Sequence, residues 1–111
     1  MKRYAMTVML KDDPEIIRKY EEYHANPYPE TNEGLLRIGI QRMYIYRYLR
    51  TLFMFMETQD DFDMDRDMPR YMDHPRAREW DELMATFQET VPGAPAGTKW
   101  VLMKEVYGLE G

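Results

Sequence analysis

The chain contains neither cysteine nor serine among its 111 residues. The first absence removes disulfides, thiolate nucleophiles and cysteine metal sites; the second removes serine nucleophiles. No glycine-rich phosphate loop is present. The two histidines stand far apart, in no His-x-x-x-His or comparable arrangement, so no metal site is expected. The net charge of −5, with no basic stripe, argues against nucleic acid as a partner. No apolar run approaches the roughly 20 residues that a membrane span requires. Met1-Lys2-Arg3 followed by Tyr4 to Leu10 superficially suggests a signal peptide. That apolar part is short, carries Thr7, and runs into Lys11-Asp12-Asp13-Pro14 without a small-residue cleavage site. The expectation is a cytoplasmic protein with no membrane partner, folded as one domain over residues 1–111.

What the chain does have is aromatic residues, 11 methionines, and one segment that organises the rest: Tyr20-Glu-Glu-Tyr-His-Ala-Asn-Pro-Tyr-Pro-Glu30. Tyr20 and His24 are four residues apart and so share a helix face. Ile16 and Ile17 lie on or beside that face, which directs the phenol and the imidazole inward. Two prolines then stop the helix and turn the chain, with Tyr28 between them. A histidine turned toward a core beside a phenol is the best candidate for chemistry. His74, which precedes a proline at a helix start, reads as a cap.

The remaining pattern alternates strand and helix. Tyr4 to Leu10 is apolar on both faces, as in a strand covered on both sides. Asp13, Pro14 and Glu15 form a helix start, and that helix runs to about Asn26. Glu30 to Ile38 is a second helix, with Leu35, Leu36 and Ile38 inward, stopped by Gly39. Ile40 to Tyr48 and Leu52 to Thr58 form a hairpin. Tyr44, Tyr46 and Tyr48 fall on one side of its first strand, Met43 and Ile45 on the other. Asp60 to Asp67 is a solvated acidic loop and helix start; it lacks the glycine turn and closing glutamate of a calcium loop. Pro69 to Met72 is helical. Pro75 to about Phe87 is a clear helix with Ala77, Trp80, Leu83, Met84 and Phe87 inward. Val91 to Gly97 is a loop, and Trp100 to Leu109 is the last strand. This order is the βαββαβ ferredoxin-like pattern, an α+β fold with an antiparallel sheet and helices on one face. The doubly apolar hairpin leaves the bare face needing a cover, and a second copy of the chain closing on it would give a homodimeric α+β barrel.

The whole chain resembles the L-rhamnose mutarotases. The resemblance rests on Tyr20-x-x-x-His24, on Asn26-Pro27-Tyr28-Pro29-Glu30, and on Gly39 followed by a tyrosine-bearing strand. Trp80 and Lys104-Glu105-Val106-Tyr107 add to it. The resemblance implies a homodimeric α+β barrel that interconverts the α and β anomers of a reducing sugar, with L-rhamnose the first candidate. It assigns His24 as the catalytic proton donor and Tyr20 as a sugar contact, with a strand tyrosine and a tryptophan pair completing the pocket. Three positions depart from the family pattern. Met43 stands where the strand tyrosine is expected, with Tyr44 one place later. Glu79-Trp80 stands for the tryptophan pair, and Tyr28 replaces a usual tryptophan. The candidate substrate-binding residues are therefore Tyr20, Tyr28, Tyr44, Glu79 and Trp80 around His24. Histidine, with an ordinary pKa of about 6.5, can give or take a proton near neutrality, so the anomerisation needs neither a metal nor a redox cofactor. Two alternatives fit the same pocket: a cofactor-independent or haem-linked monooxygenase-like enzyme on this barrel, and a non-catalytic module holding a flat apolar ligand.

Overall fold

A computed structural model describes residues 1–111. Its centre is strand β1 (Lys2–Leu10), whose even-numbered residues Met6, Val8 and Leu10 are buried. β1 pairs antiparallel with β3 (Thr51–Thr58), which in turn pairs with β2 (Ile40–Tyr48). Two short strands, β4 (Gln88–Glu89) and β5 (Val101–Leu102), share the other edge of β1. The order β2-β3-β1-β4 is that of the ferredoxin-like sheet.

The helices explain themselves locally. Helix α1 (Pro14–Ala25) begins at Asp13, whose carboxylate accepts the Glu15 amide at 2.9 Å. Helix α2 (Pro29–Arg37) also opens on a proline, and the chain leaves it through Gly39 at φ 108°, a conformation glycine adopts without strain. A four-residue helix, α3 (Met64–Asp67), runs straight into a 3-10 segment at Met68–Asp73. Helix α4 (Pro75–Phe87) starts at His74, whose Nδ1 accepts the Arg76 amide at 3.0 Å, so this histidine is a cap.

All four helices pack on one face of the sheet, in two apolar clusters. One gathers Val8, Leu10, Tyr20, Leu52, Trp80, Met84 and Phe87. The other gathers Met6, Ile38, Ile40, Met54, Met56 and Phe62, and Trp100 packs against both. Gly34 has a packing role: a Cβ there would lie 2.6 Å from the Tyr71 carbonyl oxygen, so its bare backbone lets α2 touch the 3-10 segment.

One irregularity sets the sheet's faces. Ile40 pairs with Thr58 but Arg42 pairs with Glu57, which leaves Gln41 as an extra residue. The bulge inverts the alternation of β2. Ile40 faces the helices, and beyond the bulge Met43 and Ile45 do so, opposite Met56 and Met54. Tyr44, Tyr46 and Tyr48 are thereby turned to the far side, where Tyr44 meets Phe55 and Tyr46 meets Phe53. They are 50%, 61% and 77% exposed, so this face is aromatic and uncovered in the single chain.

Three expectations need correction. The last strand, expected over Trp100 to Leu109, is a ladder at Val101–Leu102 only. Its path continues beside β1, because Met103 donates its amide to the Ala5 carbonyl and Arg3 meets Glu105 at 2.8 Å. Beyond that, Val106, Tyr107 and Leu109 are exposed, since β4 and β5 already divide the edge and no further strand lies alongside. Leu36, expected inward, is 64% exposed, because α2 turns Thr31 and Gly34 to the interior instead. The acidic segment is also less solvated than expected. Phe62 is buried, and Asp67 is buried while accepting the Asp63 amide and the Arg66 guanidinium.

Candidate active site

Between the helices and the inner face of the sheet lies an open hollow of about 1170 Å³, larger than a monosaccharide needs. Its walls are mostly apolar: Met6, Met43, Ile45, Met54 and Trp100 among others. Polar groups enter it at few points, and one of them is His24, in the last turn of α1.

His24 is held from three sides. Its Nδ1 lies 2.8 Å from the carbonyl oxygen of Tyr20. That oxygen can only accept, so Nδ1 carries the proton and Nε2 is left with a lone pair and no protein partner. The Tyr20 ring lies against the imidazole, with centroids 4.2 Å apart, and the Trp80 indole meets it edge-on at 5.1 Å. Burial lowers the pKa of His24 below its ordinary value, partly offset by the bond to Tyr20. The resting imidazole is therefore neutral around pH 7, a base first and an acid only after it has taken a proton. Tyr20 is buried, and desolvation pushes its phenol far up, so it stays protonated. It orients the imidazole through its backbone carbonyl, which spacing alone does not reveal.

The aromatic series continues outward from Trp80. Tyr28, placed by the Pro-Tyr-Pro turn, meets Trp80 edge-on at 5.1 Å, and the Arg76 guanidinium caps the Tyr28 ring at 3.9 Å. Tyr28 thus supports Trp80 from behind and does not line the hollow. Glu79 points away: it is exposed and pairs with Arg76 at 2.7 Å. Tyr44 reaches the hollow only along the β2 edge, because the bulge at Gln41 sends its ring to the opposite face. The structure accordingly gathers His24, Tyr20 and Trp80, adds Tyr28 as a buttress, and leaves Tyr44 and Glu79 apart.

Several residues of the hollow are not singled out by the sequence. Trp100 stands just before β5 and closes one wall. Arg47, on the inner side of β2, binds Glu21 of α1 across the mouth. The Tyr71 hydroxyl donates to Asp81 at 2.5 Å, joining the 3-10 segment to α4. Only Trp100 had a legible signal, an aromatic leading into a strand. The other pairs join elements whose approach no spacing rule supplies.

The sheet order, its curl and the helices on one face define an α+β protein of the dimeric α+β barrel type. An L-rhamnose mutarotase from Formosa agariphila superimposes with a TM-score of 0.70 at 21% identity, covering 99% of this chain and 100% of that one. The tetracenomycin F2 cyclase of Streptomyces glaucescens does so with a TM-score of 0.64 at 18% identity, covering 100% and 99%. At such identities the likeness is one of fold. Sequence goes further. A family model described as L-rhamnose mutarotase matches residues 3–109. An L-fucose mutarotase of Xanthomonas campestris pv. campestris is 32% identical over 111 residues, 98% of this chain and 89% of that one. A UPF0734 protein of Dictyostelium discoideum is 40% identical over 113 residues, 98% and 90% respectively. The chain belongs to the L-rhamnose mutarotase family, a family of isomerases.

Proposed function

We propose that this protein interconverts the α and β anomers of a reducing 6-deoxyhexose, L-rhamnose being the first candidate, with His24 as the proton-transfer group. The observation that carries the reading is the free Nε2 of a neutral imidazole at the wall of a hollow with ample room for a sugar. Family membership supports it, and so do the relatives named for L-rhamnose and L-fucose. The mostly apolar wall suits a sugar whose C6 is a methyl group.

The proton balance closes on one residue. Nε2 takes the proton of the anomeric hydroxyl as O1 becomes a carbonyl and the bond from C1 to the ring oxygen breaks. The imidazolium then gives that proton to the ring oxygen. Both oxygens are bonded to C1, so one ring nitrogen can reach each in turn. Rotation about the C1–C2 bond of the open aldehyde and reversal of the steps deliver the other anomer. His24 is therefore the expected proton donor only in the second half of ring opening. Trp80 offers a flat apolar surface to the sugar's C–H face.

Saturation transfer between the anomeric protons of L-rhamnose tests the reading directly. Added protein is expected to speed the exchange, whereas binding without faster exchange would leave only a binding module. The pH dependence follows from the base role. kcat/KM should be level at neutral and alkaline pH and fall with decreasing pH through the value of His24, which burial holds below 6.5. An essential group that must be protonated would instead give a falling alkaline limb near neutrality.

The reading includes a homodimer acting in the cytoplasm, the latter supported by the cysteine-free composition. Tyr44, Tyr46, Tyr48, Phe53 and Phe55 form an uncovered aromatic face, and a second copy of the same face is its natural complement. Light scattering on the eluting protein is expected to give twice the 13.5 kDa of one chain, and Tyr46→Arg should halve that mass.

A further inference from the structure

The hollow holds a second set of polar groups that the proton-transfer scheme does not use. Two carboxylates line it, Glu21 and Asp81. Glu21 is neutralised by Arg47. Asp81 has no cationic partner within 4.0 Å, and its one protein hydrogen bond comes from the Tyr71 hydroxyl, to Oδ1. The free Oδ2 and the Tyr71 oxygen, whose proton is already committed, can only accept. Desolvation and the neighbouring carboxylate both keep the Tyr71 phenol protonated.

Thr31 makes the second observation. It is 4% exposed, it lines the same hollow, and its hydroxyl is the single buried side-chain polar atom in the chain without a hydrogen-bond partner. A buried hydroxyl left unpaired carries a cost that persists only where something relieves it. Thr31 and Gly34 are three residues apart on α2 and share a face, and Gly34 lies against the Tyr71 backbone. Thr31 is thus turned toward the part of the hollow that Tyr71 walls. Asp81 directly follows Trp80 on α4, so one helical turn supplies both an indole platform beside His24 and the acceptor next to it.

We propose that Asp81, Tyr71 and Thr31 form a hydroxyl-reading subsite that takes a vicinal diol of the bound sugar, away from its anomeric carbon. The inference rests on the sugar reading above and gives it a selectivity: hydroxyls are both donors and acceptors, and this set offers two acceptors and one hydroxyl. A ligand with the diol oxidised or removed at that position would leave the same groups unpaired.

The test uses the full-length protein, L-rhamnose and its singly deoxygenated analogues, with exchange followed by NMR and binding by tryptophan fluorescence. Asp81→Asn, which keeps an acceptor for Tyr71, is expected to raise KM for L-rhamnose by about 10-fold or more, with kcat changed much less. The loss should vanish for the one analogue that lacks the hydroxyl being read. Thr31→Val should weaken binding while raising the melting temperature, a pair of opposite signs that a purely structural residue does not produce. Equal losses on every analogue, or an unaltered KM in both variants, would overturn the subsite. If the wild type binds L-rhamnose without exchanging its anomers and Asp81→Asn still weakens that binding, the mutarotase reading falls and the subsite stands. If exchange is catalysed and both variants bind like wild type, the reverse holds. No binding and no exchange would remove both.

Discussion

Replacing His24 by asparagine is expected to lower kcat/KM for anomer exchange by about 10²–10⁴-fold, the usual range for loss of a positioned acid–base group, and to leave the thermal melt close to that of the parent. The kinetic loss follows from the proposed scheme, in which Nε2 both takes the proton of the anomeric hydroxyl and delivers it to the ring oxygen. The small effect on stability follows from position. His24 sits half-buried in the last turn of α1, and its one hydrogen bond is to a carbonyl of its own helix. An asparagine amide keeps a donor at that end of the helix and removes only the ring contacts with Tyr20 and Trp80. The pair of measurements separates chemistry from folding: an unaltered exchange rate in a folded variant would move the proton transfer to another group.

The second large effect is structural. Gly34→Ala is expected to destabilise the fold by about 1–3 kcal/mol, the cost of forcing a methyl group into a packed contact. Two terms oppose each other here. Alanine favours helix over glycine by about 1 kcal/mol, which alone would stabilise α2. The new Cβ, however, would lie 2.6 Å from the Tyr71 carbonyl oxygen and 3.3 Å from its carbonyl carbon, both backbone atoms that cannot swing aside. The clash wins, and α2 or the 3-10 segment must move. Denaturant titration reads the change, and a variant as stable as its parent would show that this contact yields easily.

Much of the fold is legible before any coordinate. The Asp13-Pro14-Glu15 start, the stop at Pro27 and the inward face of α4 are local properties, written in capping chemistry and helical spacing. The hairpin is equally plain from its length and composition, although its turn places Leu49 at φ 52°, where a leucine is rarely found. The closing strand is shorter than expected because apolar residues from Trp100 to Leu109 say nothing about whether an edge is free to receive them. The site was half legible. Tyr20 and His24 share a helix, so spacing joins them; Trp80 joins them only when α4 packs across α1. Asp81 with Tyr71, and Arg47 with Glu21, meet between separate elements, and no periodicity announces either pair. Tyr44 is expected in the pocket only through the family resemblance; alternation along β2 sets it on the face opposite Met43 and Ile45, and that is where its ring lies.

The extra residue at Gln41 has a larger consequence. Because side chains in a strand alternate with a strict period of two, removing Gln41 would leave Ile40 and Met43 two residues apart, both still facing the helices, with Tyr44 and Tyr46 still on the far side. The spare residue is slack: its loss straightens the strand and exchanges neither face. A residue gained beyond it has no such reserve, and would turn Tyr44 and Tyr46 toward the hollow in place of Met43 and Ile45. Strand β2 is therefore built to tolerate a lost codon better than a gained one.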